Sequence, residues 1–285
     1  MALDSGGILL SSVMAGLVAI LATVLIERRG GAIGGIITLP TTIVPASIGI
    51  WVGVSGDSEL FTAAMAMVPI GMLLNVLFLG SWRLLPRILE DYFSEGLLVY
   101  GVASFSVILW IFFAGISTFT VEGISSHVSP IVIGASAVFL AFILGYFAVS
   151  KIDFAPSGSN SVSFFSILSR GIAAGGAIGL SVWIAGLGLP FISGVVSVFP
   201  AIFLTTMVSL WLAQGRAVPV GATGPMMLGS VSVSIYGLIS IAIFPLYGPW
   251  VGSVIVWFTS VLLYSVPVGV WTWRTIDAGQ GDGVT

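Results

Sequence analysis

The chain is poor in charge and contains no cysteine. Only 7% of its 285 residues are Asp, Glu, Lys or Arg, whereas about 25% is usual for a soluble domain. So few charges cannot solvate a surface, and the composition therefore predicts an integral membrane protein. The lack of cysteine excludes disulfides, thiolate catalysis and cysteine-ligated metals. Polybasic tracts and nucleic-acid-binding motifs are also missing, so nucleic acid is not an expected partner.

Charge is missing from the middle of every predicted membrane span as well. A charged side chain at bilayer depth costs about 2.5–3.5 kcal/mol, and where it occurs it marks proton relays and ion pathways. Its absence disfavours a proton-coupled antiporter, a carboxylate-lined metal transporter and a voltage sensor. No Ser-His pair, Asp dyad or HExxH-like motif lies at that depth, so an enzyme is disfavoured and no cofactor or metal is expected.

Long apolar runs dominate the chain, which is 58% hydrophobic with a mean hydropathy of +1.18. No charged residue lies between Arg170 and Arg216 or between Arg216 and Arg274, and each gap has room for two spans of about 20 residues. The runs are continuous rather than alternating, which favours helices over barrel strands. The predicted fold is an all-α, polytopic membrane helix bundle with about nine transmembrane helices, at about 7–26, 31–54, 60–82, 96–118, 128–150, 164–187, 190–213, 219–245 and 249–273.

The basic residues predict the orientation of this bundle. With nine spans, all eight Lys and Arg residues fall on one side of the membrane. Basic residues in short loops are retained in the cytoplasm. We therefore expect a prokaryotic plasma-membrane protein whose amino terminus is outside and whose carboxyl terminus is cytoplasmic. The first apolar run has no small-residue cleavage site and is interpreted as a retained span.

The second and seventh predicted spans share a pattern that indicates internal duplication. A glycine lies six residues before both Pro40 and Pro200, a tryptophan lies eleven residues after each, and a Thr-Thr pair follows each proline. The next spans also correspond, "AMAMVPIGM" with "GATGPMMLG", although Pro45 and Asn75 have no counterpart in the second half. Five spans separate the two starts, so the repeats enter the membrane from opposite sides. The predicted organisation is an inverted 4+1+4 repeat, with repeat 1 at 1–118, a connecting helix and cytoplasmic linker at 119–163, and repeat 2 with the C-terminal tail at 164–285.

These two proline-containing spans form the candidate binding site. A proline inside a helix removes a backbone hydrogen bond, and in hydrocarbon the freed carbonyl needs a partner from protein or water. Pro40 and Pro45 are expected to free carbonyls near Ile36 and Thr41, so the second span should face the protein interior or a wet cavity. Matching Gly/Pro-interrupted spans point to the substrate site in inverted-repeat transporters. The candidate substrate-binding residues are Gly35, Thr38, Pro40, Thr41, Thr42, Asn75, Pro200, Thr205, Thr206 and Thr223.

Several of these assignments have alternatives. The second span could be a merely kinked helix satisfied by its own threonines, and Asn75 could bind a neighbouring helix instead of substrate. The stretch "VGATGPMMLG" predicts a loosened helix start at Thr223, whose N–H groups could meet an anion. Small-xxx-small spacing predicts close helix packing, and it would also suit an oligomer contact, at Gly30–Gly34, Gly31–Gly35, Gly171–Gly175 and Gly175–Gly179.

The expected function is a membrane transporter for a small neutral or weakly anionic solute, working by alternating access around broken helices 2 and 7. Its expected partners are the lipid bilayer and the solute, and Na⁺ held by carbonyl oxygens is a candidate coupling ion. A channel or facilitator and a non-transporting membrane scaffold subunit are the alternatives. A cavity between the broken spans would favour the transporter, an open hydroxyl-lined path the channel, and a cavity-free centre the scaffold.

Overall fold

The regular structure is helical throughout the residues that the computed structural model describes, which are 5–29, 39–150 and 164–281. The all-α prediction is therefore confirmed for this part of the chain. The elements are α1 (Ser5–Arg29), a 3-10 turn (Leu39–Ile43), α2 (Val44–Gly53), α3 (Ser58–Leu89), α4 (Glu95–Ile124), α5 (Pro130–Ser150), α6 (Phe164–Gly186), α7 (Pro190–Val196), α8 (Ala201–Gln214), α9 (Ala217–Ser260), a π-helical turn (Val261–Ser265) and α10 (Val266–Gly281).

Six helical stretches within the described ranges are long and apolar enough to cross a membrane, which takes about 20 residues. Large apolar side chains also point outward, as a lipid-facing surface requires; Phe112 and Phe119 are 59% and 79% exposed. Length and composition are thus those of a helical membrane protein. The six stretches are Ser58–Leu89, Glu95–Ile124, Pro130–Ser150, Ile167–Gly186, Pro190–Gln214 and Ala217–Thr275.

The last of these stretches reverses direction at Gly248, which has φ 70° and ψ 171°. This conformation is essentially restricted to glycine. A Cβ added to Gly252 would lie 2.9 Å from Cδ1 of Phe244, and the hydroxyl of Tyr264 donates to the carbonyl of Leu228 at 2.8 Å. The two arms on either side of Gly248 therefore run antiparallel. This is the point where the sequence predicts one span to end and the next to begin.

The helix α3 is longer than the sequence predicts. Its start is fixed by Asp57, whose carboxylate accepts from the backbone N–H groups of Glu59 and Leu60, each at 2.9 Å. The helix then continues to Leu89, seven residues beyond the predicted end of the third span at about residue 82. These residues add about two helical turns, and the carbonyl of Pro86 accepts from the backbone N–H of Glu90 at 3.1 Å where the helix ends.

The centre of the bundle is formed by α3 and the first arm of α9, which pack together along most of their length, and α5 lies against both. Two glycines of α5 allow this close approach because they have no side chain. A Cβ on Gly134 of α5 would lie 2.8 Å from the carbonyl oxygen of Ala66, and one on Gly145 would lie 2.9 Å from the backbone of Leu228. Residues larger than glycine would push α5 off the centre.

The helices α1 and α6 form a second close pair through glycines. A Cβ added to Gly175 would lie 2.7 Å from the carbonyl oxygen of Ser12, and Cβ atoms added to Gly171 and Gly179 would collide with side chains of α1. The prediction that these three glycines form a packing seam is confirmed. Of the other predicted seam, Gly30, Gly31, Gly34 and Gly35 lie outside the described residues.

Candidate functional site

The seventh span is broken immediately before Pro200. It consists of α7, which ends at Val196, and α8, which begins at Ala201, with the four residues between them outside a regular helix. Pro200 has no N–H to continue α7, and the N–H of Ala201 turns back to the carbonyl of Phe199 at 2.7 Å. The chain therefore crosses this region as two short helices joined by a non-helical segment.

The described part of the second span begins at the 3-10 turn, which leads into α2. Pro40 lies in the turn and is buried. Pro45 lies in the first turn of α2, where its missing N–H interrupts no helical bond. The prediction that Pro45 breaks a helix is therefore wrong: this proline lies at the start of one. Gly35 and Thr38 lie outside the described residues.

The segment is otherwise placed as the sequence predicts, in the protein interior. Ile43, Ala46 and Ile50 are at most 2% exposed. The hydroxyl of Ser47 shares a hydrogen bond of 2.9 Å with that of Tyr236 on α9 and also donates to the carbonyl of Val44. Packing and hydrogen bonds thus join the second span to the centre of the bundle.

A cavity of about 60 Å³ lies between the described part of the second span and the break in the seventh. Thr42 and Ile43 form its wall on the side of the second span, and Ser197 to Phe203 form it on the side of the seventh. Helices α1, α3, α6 and α9 contribute the rest. A volume of this size is several times what one water needs. No charged side chain belongs to the wall that the described residues form, so the cavity is polar only through hydroxyls, an amide and backbone groups.

Three of the predicted site residues meet at this cavity: Thr42, Asn75 and Pro200 all lie on its wall. Their positions are far apart in the sequence, and three different spans carry them. The cavity thus lies where the sequence predicts a substrate site. The remaining candidates in the described residues are not on this wall, and their hydroxyls form hydrogen bonds away from the cavity.

Asn75 lies on the cavity wall and also forms hydrogen bonds to two other elements. It is 2% exposed, and its Nδ2 donates to the carbonyl oxygen of Val198, inside the break of the seventh span, at 2.8 Å. Its Oδ1 accepts from the indole Nε1 of Trp110 on α4 at 2.8 Å. A carbonyl in a non-helical segment needs such a partner at membrane depth. The amide therefore holds the break in position and ties α3, α4 and the seventh span together.

The paired threonines are used locally. Thr205 and Thr206 donate to the carbonyls of Ala201 and Ile202 within their own helix, and neither lies on the cavity wall. Thr41 accepts from Nε1 of Trp257, on the second arm of α9, at 2.9 Å. These hydroxyls stabilise the two spans, and they do not converge on one site.

Thr223 also differs from its prediction. Helix α9 begins at Ala217, so the N–H groups around Thr223 lie inside a formed helix and are unavailable to an anion. The predicted loosened helix start is therefore wrong. The hydroxyl of Thr223 instead accepts from Nε of Arg83, whose Nη2 also donates to the carbonyl of Ala148 at 3.4 Å. Arg83 thus joins the ends of α3 and α5 to the start of α9.

Sequence reasoning missed the aromatic donors that hold this region together. Trp110, Tyr236 and Trp257 lie within apolar runs. Each makes a hydrogen bond either to the second span or to Asn75. Buried Trp and Tyr usually find a polar partner. Their occurrence in the middle of predicted spans was the available signal.

Compared with known proteins, the chain matches no family, no curated protein and no solved structure. Its length, composition and helices define the class as a helical membrane protein. The cavity between its second and seventh spans carries the inference of function.

Proposed function

We propose that the protein is a transporter that moves a small neutral or weakly anionic solute through the cavity between its second and seventh spans. The observation that carries this proposal is the position of the cavity. Thr42 and Ile43 face it from the 3-10 turn of the second span, and the segment around Pro200 faces it from the break in the seventh. Interrupted spans expose backbone groups that only protein or a wet cavity can satisfy, which is how many secondary transporters build their binding sites.

The pairing of helices supports an inverted 4+1+4 repeat, in which the reversal at Gly248 separates the eighth and ninth crossings. A two-fold axis between repeats brings equivalent elements into contact with each other. The first spans of the two halves, α1 and α6, pack together, and so do the third spans, α3 and the first arm of α9. The unpaired helix α5 lies against both third spans, as expected for an element on that axis.

The wall of the cavity suits a small neutral or weakly anionic solute. Hydroxyls of Thr42 and Ser197 and the amide of Asn75 supply its side-chain polarity, and no cationic group from the described residues contributes. The first residues of α8, Ala201 to Phe203, also belong to the wall, and the N-terminus of a helix can meet the charge of a weak anion. Na⁺ bound by backbone carbonyls remains compatible with the wall and is proposed as the alternative cargo or coupling ion.

Alternating access predicts that one cavity position reacts from either side of the membrane. The natural chain has no cysteine, so Thr42→Cys supplies a single thiol on the wall. The purified variant, in proteoliposomes, would be treated with a membrane-impermeant methanethiosulfonate reagent from each side. Thr205→Cys, on the same pair of interrupted spans but away from the wall, is the control. We expect labelling of Thr42→Cys from both sides and little labelling of the control.

Transport itself is tested with urea, glycerol and sodium formate as probes, using stopped-flow light scattering. We expect at least one of these probes to cross faster than in protein-free liposomes, and N-ethylmaleimide on Thr42→Cys to block it. Preloaded unlabelled probe should accelerate uptake of the labelled probe in a carrier; flux without this acceleration would indicate a channel. Failure of every probe together with an unreactive Thr42→Cys would overturn the proposal and favour a scaffold.

A further inference from the structure

Two aromatic clusters lie near opposite ends of α3, with the cavity between them. Phe61 belongs to the first cluster and Trp82 to the second, about 31 Å apart at the helical rise per residue. This distance matches the hydrocarbon thickness of a bilayer, about 30 Å. Met72 and Asn75, the cavity residues of α3, lie between the two positions. The clusters thus lie on either side of the candidate site along α3.

The first cluster consists of Trp51, Phe61 and Phe244. The rings of Phe61 and Phe244 stack with centroids 5.0 Å apart, and Trp51 meets them edge-on at 4.9 and 5.9 Å. Both phenylalanines are completely buried. Since these residues come from α2, α3 and α9, the cluster joins the interrupted second span to the two central helices.

The second cluster consists of Phe78, Trp82 and Trp211. Trp82 lies 6.3 Å from Phe78 and 6.1 Å from Trp211, measured between ring centroids. Trp82 is completely buried, and its indole N–H has no partner among the described residues. This cluster joins the interrupted seventh span, through Trp211 on α8, to the other end of α3.

The two clusters correspond to each other under the proposed internal repeat. Trp51 follows Pro40 by the same number of residues as Trp211 follows Pro200. Each tryptophan lies near the end of an interrupted span and packs against an aromatic residue near the end of a central helix. The Trp51–Phe244 contact couples α2 to α9, and the Trp211–Trp82 contact couples α8 to α3.

We propose that these clusters are two gates, which open alternately to connect the cavity with opposite sides of the membrane. This inference rests on the proposed transport function and assigns the gates of the same site. Movement of α2 away from α3 and α9 opens the gate at Trp51. Movement of α8 away from α3 opens the gate at Trp211 and hydrates the N–H of Trp82, which is unpaired while that gate is closed.

The test uses Ala177→Cys, a thiol on the cavity wall that belongs to neither gate. Trp51→Ala and Trp211→Ala are each combined with it, and the rate of reaction with an impermeant methanethiosulfonate reagent is measured from both sides. We expect each substitution to raise the rate about tenfold from one side only, with opposite sides for the two variants. That factor corresponds to about 1.4 kcal/mol of lost closed-state stability. Trp51→Phe and Trp211→Phe should retain slow labelling.

The controls distinguish a gate from general loosening. Trp250→Ala removes a tryptophan that is 55% exposed and should leave both rates unchanged. Equal acceleration from both sides, or no acceleration by either gate variant, would overturn the gates even if urea or glycerol still crosses. One-sided acceleration without transport of any probe would support the gates and contradict the proposed carrier. Size-exclusion chromatography of each variant verifies that it is folded.

Discussion

Asn75 shows how one buried amide can support a broken span. It donates to Val198 in the break and accepts from Trp110, so all its polar groups have partners. Of the two roles that its sequence position allows, the contacts show the helix-binding one. Its place on the cavity wall leaves binding of solute as a proposal. Because hydrogen-bonded networks are not additive, substitution at either end should affect the other.

Replacing Asn75 by alanine leaves the Val198 carbonyl and the Trp110 indole unpaired in the interior. We expect a loss of about 1–3 kcal/mol in the free energy of unfolding. Unfolding in mixed SDS micelles, followed by circular dichroism, measures it. Trp110→Phe and the double variant complete a thermodynamic cycle, and their effects should fall short of additivity by more than about 0.5 kcal/mol. Strict additivity would show that the Asn75–Trp110 bond contributes nothing; Ser136→Ala, on an exposed hydroxyl, is the neutral control.

At the scale of helices, glycine decides which elements approach closely. In α6 only one side of the helix touches α1, and neighbouring glycines fall on different sides. Gly175 faces the backbone of Ser12, whereas Gly176 has no atom near the position of a Cβ. The same residue type therefore has opposite roles at adjacent positions.

Gly175→Ala and Gly176→Ala make a matched pair. The first places a methyl 2.7 Å from the Ser12 carbonyl oxygen, so α1 and α6 must separate, and we expect about 1–3 kcal/mol of destabilisation. The second meets nothing within 4 Å and gains helix propensity, so stability should be unchanged or higher by up to about 1 kcal/mol. Thermal unfolding in detergent compares them. Equal changes in the unfolding temperature of the two variants would contradict the packing seam between α1 and α6.

The reversal at Gly248 gives a second prediction at this scale. Its φ of 70° and ψ of 171° are strained for any residue with a side chain. Gly248→Ala should therefore cost about 1–3 kcal/mol although no atom lies within 4 Å of the added methyl. Gly123→Ala, also in open space but in a helix, is the control. If both variants melt at the same temperature, backbone strain does not determine the turn.

For the whole molecule, the distribution of charge predicts the orientation in the membrane. Arg216 pairs with Glu90 at 2.8 Å, which places the end of α3 and the start of α9 on one side. Both residues are about half exposed, so the pair contributes at most about 1 kcal/mol. The pair indicates which helix ends share a side of the bundle. Arg216 lies on that side, and acidic residues such as Asp57 and Glu122 lie on the other.

Single cysteines test this orientation in intact cells. Asp57→Cys and Glu122→Cys should react with an impermeant maleimide added outside, whereas Glu90→Cys and Arg216→Cys should react only after the membrane is permeabilised. The reason is retention of basic loops in the cytoplasm. Labelling of the second pair in intact cells would invert the orientation, and one reactive member in each pair would overturn the count of crossings.

Much of the fold follows from the sequence because hydrocarbon forces each backbone group to find a partner nearby. Continuous apolar runs must then be helices, and Pro200 is a candidate break because it lacks an N–H. Pro69 and Pro225 lie inside continuous helices, so a proline alone does not decide where a helix is broken. Local rules also predict the turn near Gly248. They fail where a residue's position in its helix decides the outcome, as at Pro45, which starts α2, and Thr223, which lies inside α9.

The sequence by itself determined the class of protein and its helical runs, since these depend on composition and on bonds between near neighbours. Only the tertiary structure decided which polar groups share a cavity. Thr42, Asn75 and Pro200 meet there, while Thr41, Thr205 and Thr206 do not. The physical reason is the rotation of each helix about its own axis, which decides which residues face the cavity. Packing against helices that are distant in the chain sets this rotation, so a local sequence pattern does not predict it.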